Sequence, residues 1–125
     1  MSHVKRVIPP YKVISAGDMS GDITGKVTSV TFSDTLTYGI AWTGTSPVGT
    51  MKVQGSLDYT ETADHTVLDA GTWFDLPLAP APAVSGATGT LSISLRFHSF
   101  PWLRLVYSRS SGTGTMTAWI AGREV

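Results

Sequence analysis

The sequence contains no cysteine, and only 14% of its 125 residues are charged. The lack of cysteine excludes disulfides, thiolate catalysis and cysteine-based metal sites. No apolar run approaches the length that crosses a membrane, and the basic residues near the N-terminus are not followed by the apolar segment of a secretory signal. We therefore expect neither a membrane partner nor such a signal. Because so few residues are charged, Ser, Thr and Gly must form much of the surface. Such a surface is typical of a protein that packs against other protein subunits.

The charges balance, with nine Lys and Arg against nine Asp and Glu. A neutral chain does not offer the basic surface that phosphate neutralisation requires, so we expect no nucleic-acid partner. The charges are nevertheless segregated. Lys5, Arg6 and Lys12 lie near the N-terminus, whereas residues 58–75 carry five acidic side chains and no Lys or Arg. Two such patches could meet across a subunit boundary, or both could face solvent.

Residues suited to catalysis or metal binding are sparse. No serine stands in a nucleophile-elbow motif, and among the histidines His65 alone stands beside carboxylates, those of Glu61 and Asp64. Asp18 and Asp22 lie in a Gly-rich segment without the ligand spacing of an EF-hand, so turn formation is favoured there over a metal ion. The sequence predicts a protein that is not an enzyme and has no cofactor.

Alternation of polar and apolar residues begins at Val27, and no helical period is sustained over three turns. The alternation predicts strands at 27–32, 36–42, 50–56, 73–78 and 90–98. One face of the second strand carries a row of apolar side chains, those of Leu36, Tyr38, Ile40 and Trp42. Segments 15–26, 57–72 and 79–89 are rich in Gly, Pro or acidic residues and are predicted as loops.

Two Gly-rich segments, 44–49 and 108–114, are predicted to be the corners of two hairpins, at 36–56 and 100–125. Trp42 precedes Gly49-Thr50-Met51 by the same spacing by which Tyr107 precedes Gly114-Thr115-Met116. This echo favours two similar hairpins that face each other across one core. The predicted fold is all-β: an antiparallel β-sandwich of jelly-roll type at 15–125, with an extended N-terminal arm at 1–14.

The predicted arm contains Pro9-Pro10, which excludes helix and favours an extended path. Its apolar side chains are expected to dock, either on the edge of their own sheet or on a neighbouring subunit. Trp119 shares a strand face with Thr115 and Thr117, and an exposed aromatic on such a face indicates a subunit contact or a ligand platform. The residues predicted at subunit contacts are Val4, Val7, Ile8, Tyr11, Val13, Met116 and Trp119.

An alternative function is the binding of a carbohydrate or a host receptor. Trp73 lies beside the acidic stretch, and amphipathic aromatic rings suit sugar surfaces. The ligand-binding residues predicted for this alternative are Trp73, Asp64 and His65.

Four blocks of the sequence resemble small β-sandwich structural proteins of tailed bacteriophages. The blocks are Tyr38-Gly-Ile-Ala-Trp-Thr-Gly-Thr45, Gly49-Thr-Met-Lys-Val-Gln-Gly-Ser56, Trp73-Phe-Asp-Leu76 and the segment from Trp102 to Ala118. Such proteins are head-decoration, head-fibre or tail-associated subunits. The resemblance implies a virion component, assembled in the cytoplasm of a bacterial host. It also implies contacts with copies of itself, as a trimer or larger, and with the major capsid or tail protein.

Overall fold

The computed structural model describes residues 7–31, 33–78, 82–96 and 99–123, and these ranges form strands and loops without any helix. The predicted all-β class is confirmed. The strands are β1 (Val7–Asp18), β2 (Ile23–Thr24), β3 (Thr28–Ser29), β4 (Thr35–Ser56), β5 (Thr60–Glu61), β6 (Val67–Asp69), β7 (Trp73–Asp75), β8 (Ala83–Val84), β9 (Thr88–Arg96) and β10 (Trp102–Arg123). Eight of them form one antiparallel sheet, and β5 pairs with β6 alone.

Two strands of 22 residues each, β4 and β10, form the centre of the large sheet. They pair antiparallel over their whole length, from Trp102 opposite Ser56 to Arg123 opposite Thr35. The two predicted hairpins are therefore wrong. The segments that echo each other are the two long strands, and they pair edge to edge instead of facing each other across a core.

The two segments predicted as corners, 44–49 and 108–114, face each other in the paired strands. Both depart from regular strand geometry there, and together they form one bend in the sheet. The register shifts between Arg109 and Thr113, and Ser46 and Gly112 both adopt a positive φ, of 45° and 78°. A side chain at Gly112 would collide with the carbonyl of Ser46, so only glycine allows this approach. Glycine-rich sequence here supplies bulges that curve the strands instead of a turn that reverses them.

The bend divides the large sheet into two half-sheets. The first half-sheet consists of β1, β9 and residues 35–45 and 113–123 of the long strands; the second consists of β2, β3, β7, β8 and residues 48–56 and 102–109. Buried side chains of both halves form one core cluster. The segment after β2 bonds to both halves. The Gly25 N–H donates to the Leu105 carbonyl in the second half-sheet (2.7 Å), and the Lys26 N–H donates to the Val13 carbonyl in the first (2.9 Å). The fold is thus sandwich-like, and its jelly-roll topology stays a prediction.

Alternation along the strands selects the core, as predicted. Leu36, Tyr38, Ile40 and Trp42 are all buried, and so are Met51 and Val53 beyond the bend. Their neighbours in sequence face outward and are exposed or half-buried. Period-2 alternation therefore identifies the inner face even where the path of the strand was predicted incorrectly.

Several boundaries differ from the prediction. β1 continues from the predicted arm to Asp18 and pairs with β10, as an edge strand that accommodates Pro9 and Pro10 through register shifts. The predicted loops 15–26 and 79–89 contain β2 and β8, because short strands flanked by glycine or proline leave no periodic signal. The predicted strand 27–32 is reduced to β3, with Phe32 outside the described residues.

Candidate functional site

The acidic segment 57–72 folds into a hairpin, β5–β6, whose base is fixed by an aromatic cluster. Tyr59 is only 5% exposed. Its ring lies 5.7 Å from that of Trp73 and 4.9 Å, edge-on, from that of Trp102. Asp58 accepts hydrogen bonds from the Thr72 N–H (2.6 Å) and hydroxyl (3.1 Å), and these bonds hold its pKa below the usual range. The hairpin is therefore anchored to the outer face of the second half-sheet.

The ring and the indole N–H of Trp73 both make contacts within the protein. The Arg104 guanidinium lies over its ring, with Cζ 4.1 Å from the centroid, and the indole N–H donates to the Ala70 carbonyl (2.9 Å). The Arg104 Nε–H also donates to Gln54 Oε1, and the amide of Gln54 donates to Asp75, both at 2.8 Å. Trp73 is therefore a half-buried support for the hairpin and does not present an open platform.

At the tip of the hairpin, side chains close a tight turn. The Thr62 hydroxyl and the Thr66 N–H donate to Asp64, and these contacts lower the pKa of its carboxyl. His65 adopts φ 67°, a left-handed conformation that is uncommon for residues other than glycine. Its Nδ1 lies 3.1 Å from Glu61 Oε1, and its side chain is otherwise largely exposed. Asp64 is thus a turn-capping residue, and His65 is an exposed residue at the tip whose ring contacts Glu61.

A cleft of about 610 Å³ lies between this hairpin and the first strand. Its walls are formed by Tyr11, Lys26, Val27, Tyr59, Glu61 and His65. Glu61 accepts from the Tyr59 hydroxyl (2.9 Å) as well as contacting His65, while the Tyr11 hydroxyl pairs with that of Thr28 at 2.6 Å. Burial raises the pKa of Tyr11, so this phenol stays neutral.

The cleft combines the phenol of Tyr11 with the ammonium of Lys26, the imidazole of His65 and the carboxylate of Glu61. The carboxylate oxygens can accept hydrogen bonds in addition to those they already make. Such a set can bind a small polar ligand through hydrogen bonds, and its volume is in the range of ligand pockets. Of the residues predicted for ligand binding, His65 lines the cleft, while Asp64 and Trp73 are not among the side chains that form it. We call this feature the tyrosine cleft.

The predicted subunit-contact residues separate into three groups. Val13 and Met116 are core residues, so their predicted role at a contact is corrected: alternation turns them inward, away from the face of Trp119. Val7 and Trp119 are exposed on the outer face of the first half-sheet, whereas Ile8, the residue after Val7, is half-buried against the core. Tyr11 lines the tyrosine cleft, and Val4 lies outside the described residues.

Asp18, at the end of β1, and Asp22, in the loop that follows, accept hydrogen bonds from backbone N–H groups. Asp18 accepts from the Ser20 N–H (2.9 Å), which lowers its pKa, and Asp22 accepts from the N–H of Arg109 at the bend (2.8 Å). Within the described ranges, no three His, Asp or Glu residues lie close enough together to hold a metal ion. In the same ranges, no helix has the length and apolarity to cross a membrane.

Sequence reasoning missed Tyr59, Glu61 and Lys26 as cleft residues. The one signal in the sequence was a tyrosine inside an acidic, loop-like stretch. Lys26 and Tyr11 come to the cleft from distant parts of the chain, and no local pattern brings them together.

A scan against models of known protein families finds no match. A search of curated proteins likewise finds no match. Among solved structures, the chain is similar to the crystal structure of the SPBc2 prophage-derived protein YomS, with a TM-score of 0.50 and 10% sequence identity over 98% of both chains. At this identity, the likeness shows that the two proteins share a fold.

Proposed function

We propose that this chain is a non-enzymatic structural subunit of a bacteriophage virion, a capsid-decoration or head–tail accessory protein that acts through protein–protein contacts. The observation that carries the proposal is the grouping of exposed apolar side chains. Trp119 and Val7 lie on the first half-sheet, and Leu57, Val67, Leu68 and Phe74 lie in or next to the acidic hairpin. Grouped exposed apolar residues on a chain with few charges are typical of surfaces that other proteins cover.

Two further points support a phage role. The sequence resembles β-sandwich structural proteins of tailed phages in four blocks that lie mostly in β4, β7 and β10. The structural neighbour YomS is described as prophage-derived, which agrees with a phage origin for this fold. The partners we propose are copies of this chain and the major capsid or tail protein, and the site of action is the virion.

Immunogold labelling of phage particles, with antibodies raised against the purified chain, tests this proposal. We expect gold on intact particles, at regular positions on the head or tail. Particles that stay unlabelled, while the protein remains in the lysate supernatant, would contradict the virion role.

The tyrosine cleft favours a second candidate, recognition of a host saccharide by the same subunit. Tyr11 offers a partly exposed ring, and Lys26, Glu61 and His65 offer donors and acceptors for sugar hydroxyls. Calorimetric titration with host cell-wall polysaccharide should give saturable binding that Tyr11→Ala weakens at least about 10-fold, equivalent to about 1.4 kcal/mol. Lys52→Ala, outside the cleft, is the matched control. Equal binding by both variants would exclude this candidate.

A further inference from the structure

The outer face of the first half-sheet carries a patch that we call the basic patch: Val7, Lys12, Arg96, Trp119 and Arg123. Backbone pairing places Arg123 between Val7 and Thr35, and Thr35 next to Arg96. Lys12 lies directly opposite Trp119. From strand spacings, the patch extends over about 13 Å along β10 and about 14 Å across the strands. Trp119, 37% exposed, lies at one end of the patch beside Lys12, and Arg96 and Arg123 lie at the other end with Val7.

Small side chains make the floor of the basic patch flat. Gly39 lies opposite Trp119, and Ser92 lies opposite Gly39 on the next strand. No atom lies within 4 Å of the position that a side chain at Gly39 would occupy, so there is open space beside the indole. An apolar side chain of a partner fits there.

The acidic hairpin has the complementary composition. Leu57, Val67 and Leu68 are 64%, 53% and 68% exposed. Val67 and Leu68 are neighbours in β6 and point to opposite faces, so the protein body covers neither face at that level. Residues 57–72 carry four carboxylates and no Lys or Arg, and those of Asp64 and Asp69 are exposed.

We propose that the acidic hairpin of one copy docks on the basic patch of a second copy, in a head-to-tail contact. Leu68 or Val67 would lie against Trp119, and Asp64 and Asp69 would face Lys12, Arg96 and Arg123. An apolar contact beside pairs of opposite charge is typical of specific interfaces. The inference rests on the proposed structural function and specifies its self-contact.

Among the described residues, no ion pair joins a hairpin carboxylate to Lys12, Arg96 or Arg123. The hairpin is anchored through Trp73 and Trp102 and faces Tyr11 across the tyrosine cleft, whereas Lys12 lies on the opposite face of β1 with Trp119. A contact between two different patches is heterologous, so it generates a ring if it closes and a filament if it does not. Contact between two basic patches would instead give a two-fold dimer, which repulsion between like charges disfavours.

Two charge-swapped variants of the full chain test the contact. The patch variant carries Arg96→Glu and Arg123→Glu. The hairpin variant carries Asp64→Asn, Asp69→Asn, Ala63→Lys and Ala70→Lys, which keeps the side-chain oxygens that cap the turns at 64 and 69. Far-ultraviolet circular dichroism checks that each variant folds, and Lys52→Glu, at a cation outside both the patch and the hairpin whose side chain is 40% exposed, is the control for a change of charge alone.

Light scattering coupled to size exclusion measures the mass. We expect an oligomer for the wild type and the control, and monomers for each swapped variant alone. An equimolar mixture of the two should re-form oligomers with alternating subunits. The swapped patch of one variant then meets the swapped hairpin of the other, and the native hairpin of the first meets the native patch of the second. We also expect the wild-type oligomer to dissociate more readily at 1 M salt than at 0.1 M.

Three outcomes would overturn the head-to-tail contact: either variant alone keeping the wild-type mass, a mixture that stays monomeric, or a wild type that is monomeric at every concentration. None of these bears on immunogold labelling of the particle, which tests the virion role itself. Labelled particles with a monomeric wild type would mean that the two surfaces bind another virion protein.

Discussion

Tyr107 lies directly opposite Met51 in the pairing of β10 with β4, and both side chains are fully covered. A second pair of an aromatic residue and a methionine lies beyond the bend, where Trp42 is opposite Met116. An antiparallel pair relates its two ends by an approximate two-fold axis, which here passes through the bend. Each half-sheet thus receives one aromatic–methionine pair at its inner face, and the bend at Gly112 brings both pairs into one core.

Replacement of Tyr38 by Phe should stabilise the protein. The Tyr38 hydroxyl is buried, and among the described residues it has no hydrogen-bond partner. Burial also raises its pKa, so the group stays neutral. Removing an unsatisfied hydroxyl removes its desolvation cost, and we expect the free energy of unfolding in urea to rise by about 1 kcal/mol.

Tyr107→Phe is the matched control for Tyr38→Phe. The Tyr107 hydroxyl donates to the Val48 carbonyl at 3.3 Å, so its removal should lower the free energy of unfolding by about 1 kcal/mol. Changes of the same sign in the two variants would contradict this account of the core hydroxyls.

A side chain at Gly112 should damage the bend. Gly112 and Gly86 both adopt positive φ, of 78° and 90°, so alanine at either site costs about 1–2 kcal/mol from the backbone conformation. Only at Gly112 would the new methyl also collide with Ser46 and Pro47 of the facing strand. Thermal unfolding should therefore show a clearly larger loss for Gly112→Ala than for Gly86→Ala, and equal losses would mean that the close approach at the bend is unimportant.

Truncation of Tyr59 should release the acidic hairpin. Its ring fills the space between Trp73 and Trp102, and a large-to-small change at a buried aromatic costs about 3–5 kcal/mol. Tyr59→Ala should expose Trp73 and Trp102, with red-shifted emission and faster proteolysis within 57–72. Tyr59→Phe keeps the ring and loses only the bond to Glu61, so it should retain native emission. Native emission and proteolysis in Tyr59→Ala would contradict the anchoring role.

The hairpin base should loosen in acid because of Asp58. Hydrogen bonds from Thr72 and Ser56 lower the pKa of its carboxyl, so the ionised form is favoured in the folded state. The contribution is complete above the unfolded pKa of about 3.9 and is lost as the pH falls through the lower folded value. Amide exchange at Thr72, measured from pH 5 to pH 2, should therefore accelerate beyond its intrinsic pH dependence. Asp58→Asn should abolish that excess, and an unchanged profile would exclude Asp58 as the cause.

The inner face of the sheet could be predicted from sequence, but the pairing of its strands could not. Alternation at Leu36–Trp42 depends on neighbours along the chain and identifies the buried side chains correctly. A Gly-rich segment such as 44–49 is compatible with a reversing turn and with a bulged bend. The choice depends on residues 109–114 of the facing strand, which are distant in sequence. Local patterns therefore predicted two hairpins where one long antiparallel pair exists.

The candidate site was less predictable than the fold. His65 and Trp119 were identified because an imidazole beside carboxylates and an aromatic on a Thr-rich face are local signals. The tyrosine cleft joins Tyr11 to Glu61, and the basic patch joins Lys12 to Arg96, across separate strands. Such groupings arise from the sheet order, which only the folded chain specifies.

Zero-length carbodiimide cross-linking of mixed ¹⁴N- and ¹⁵N-labelled protein tests the self-contact most directly. The reagent joins an amine to a carboxylate only where the two are in ion-pair contact, and the labels distinguish links between copies from links within one. The account predicts a mixed-isotope peptide pair that joins Lys12 to Asp64 or Asp69. Links from Lys12 to other carboxylates, or same-isotope links alone, would contradict it.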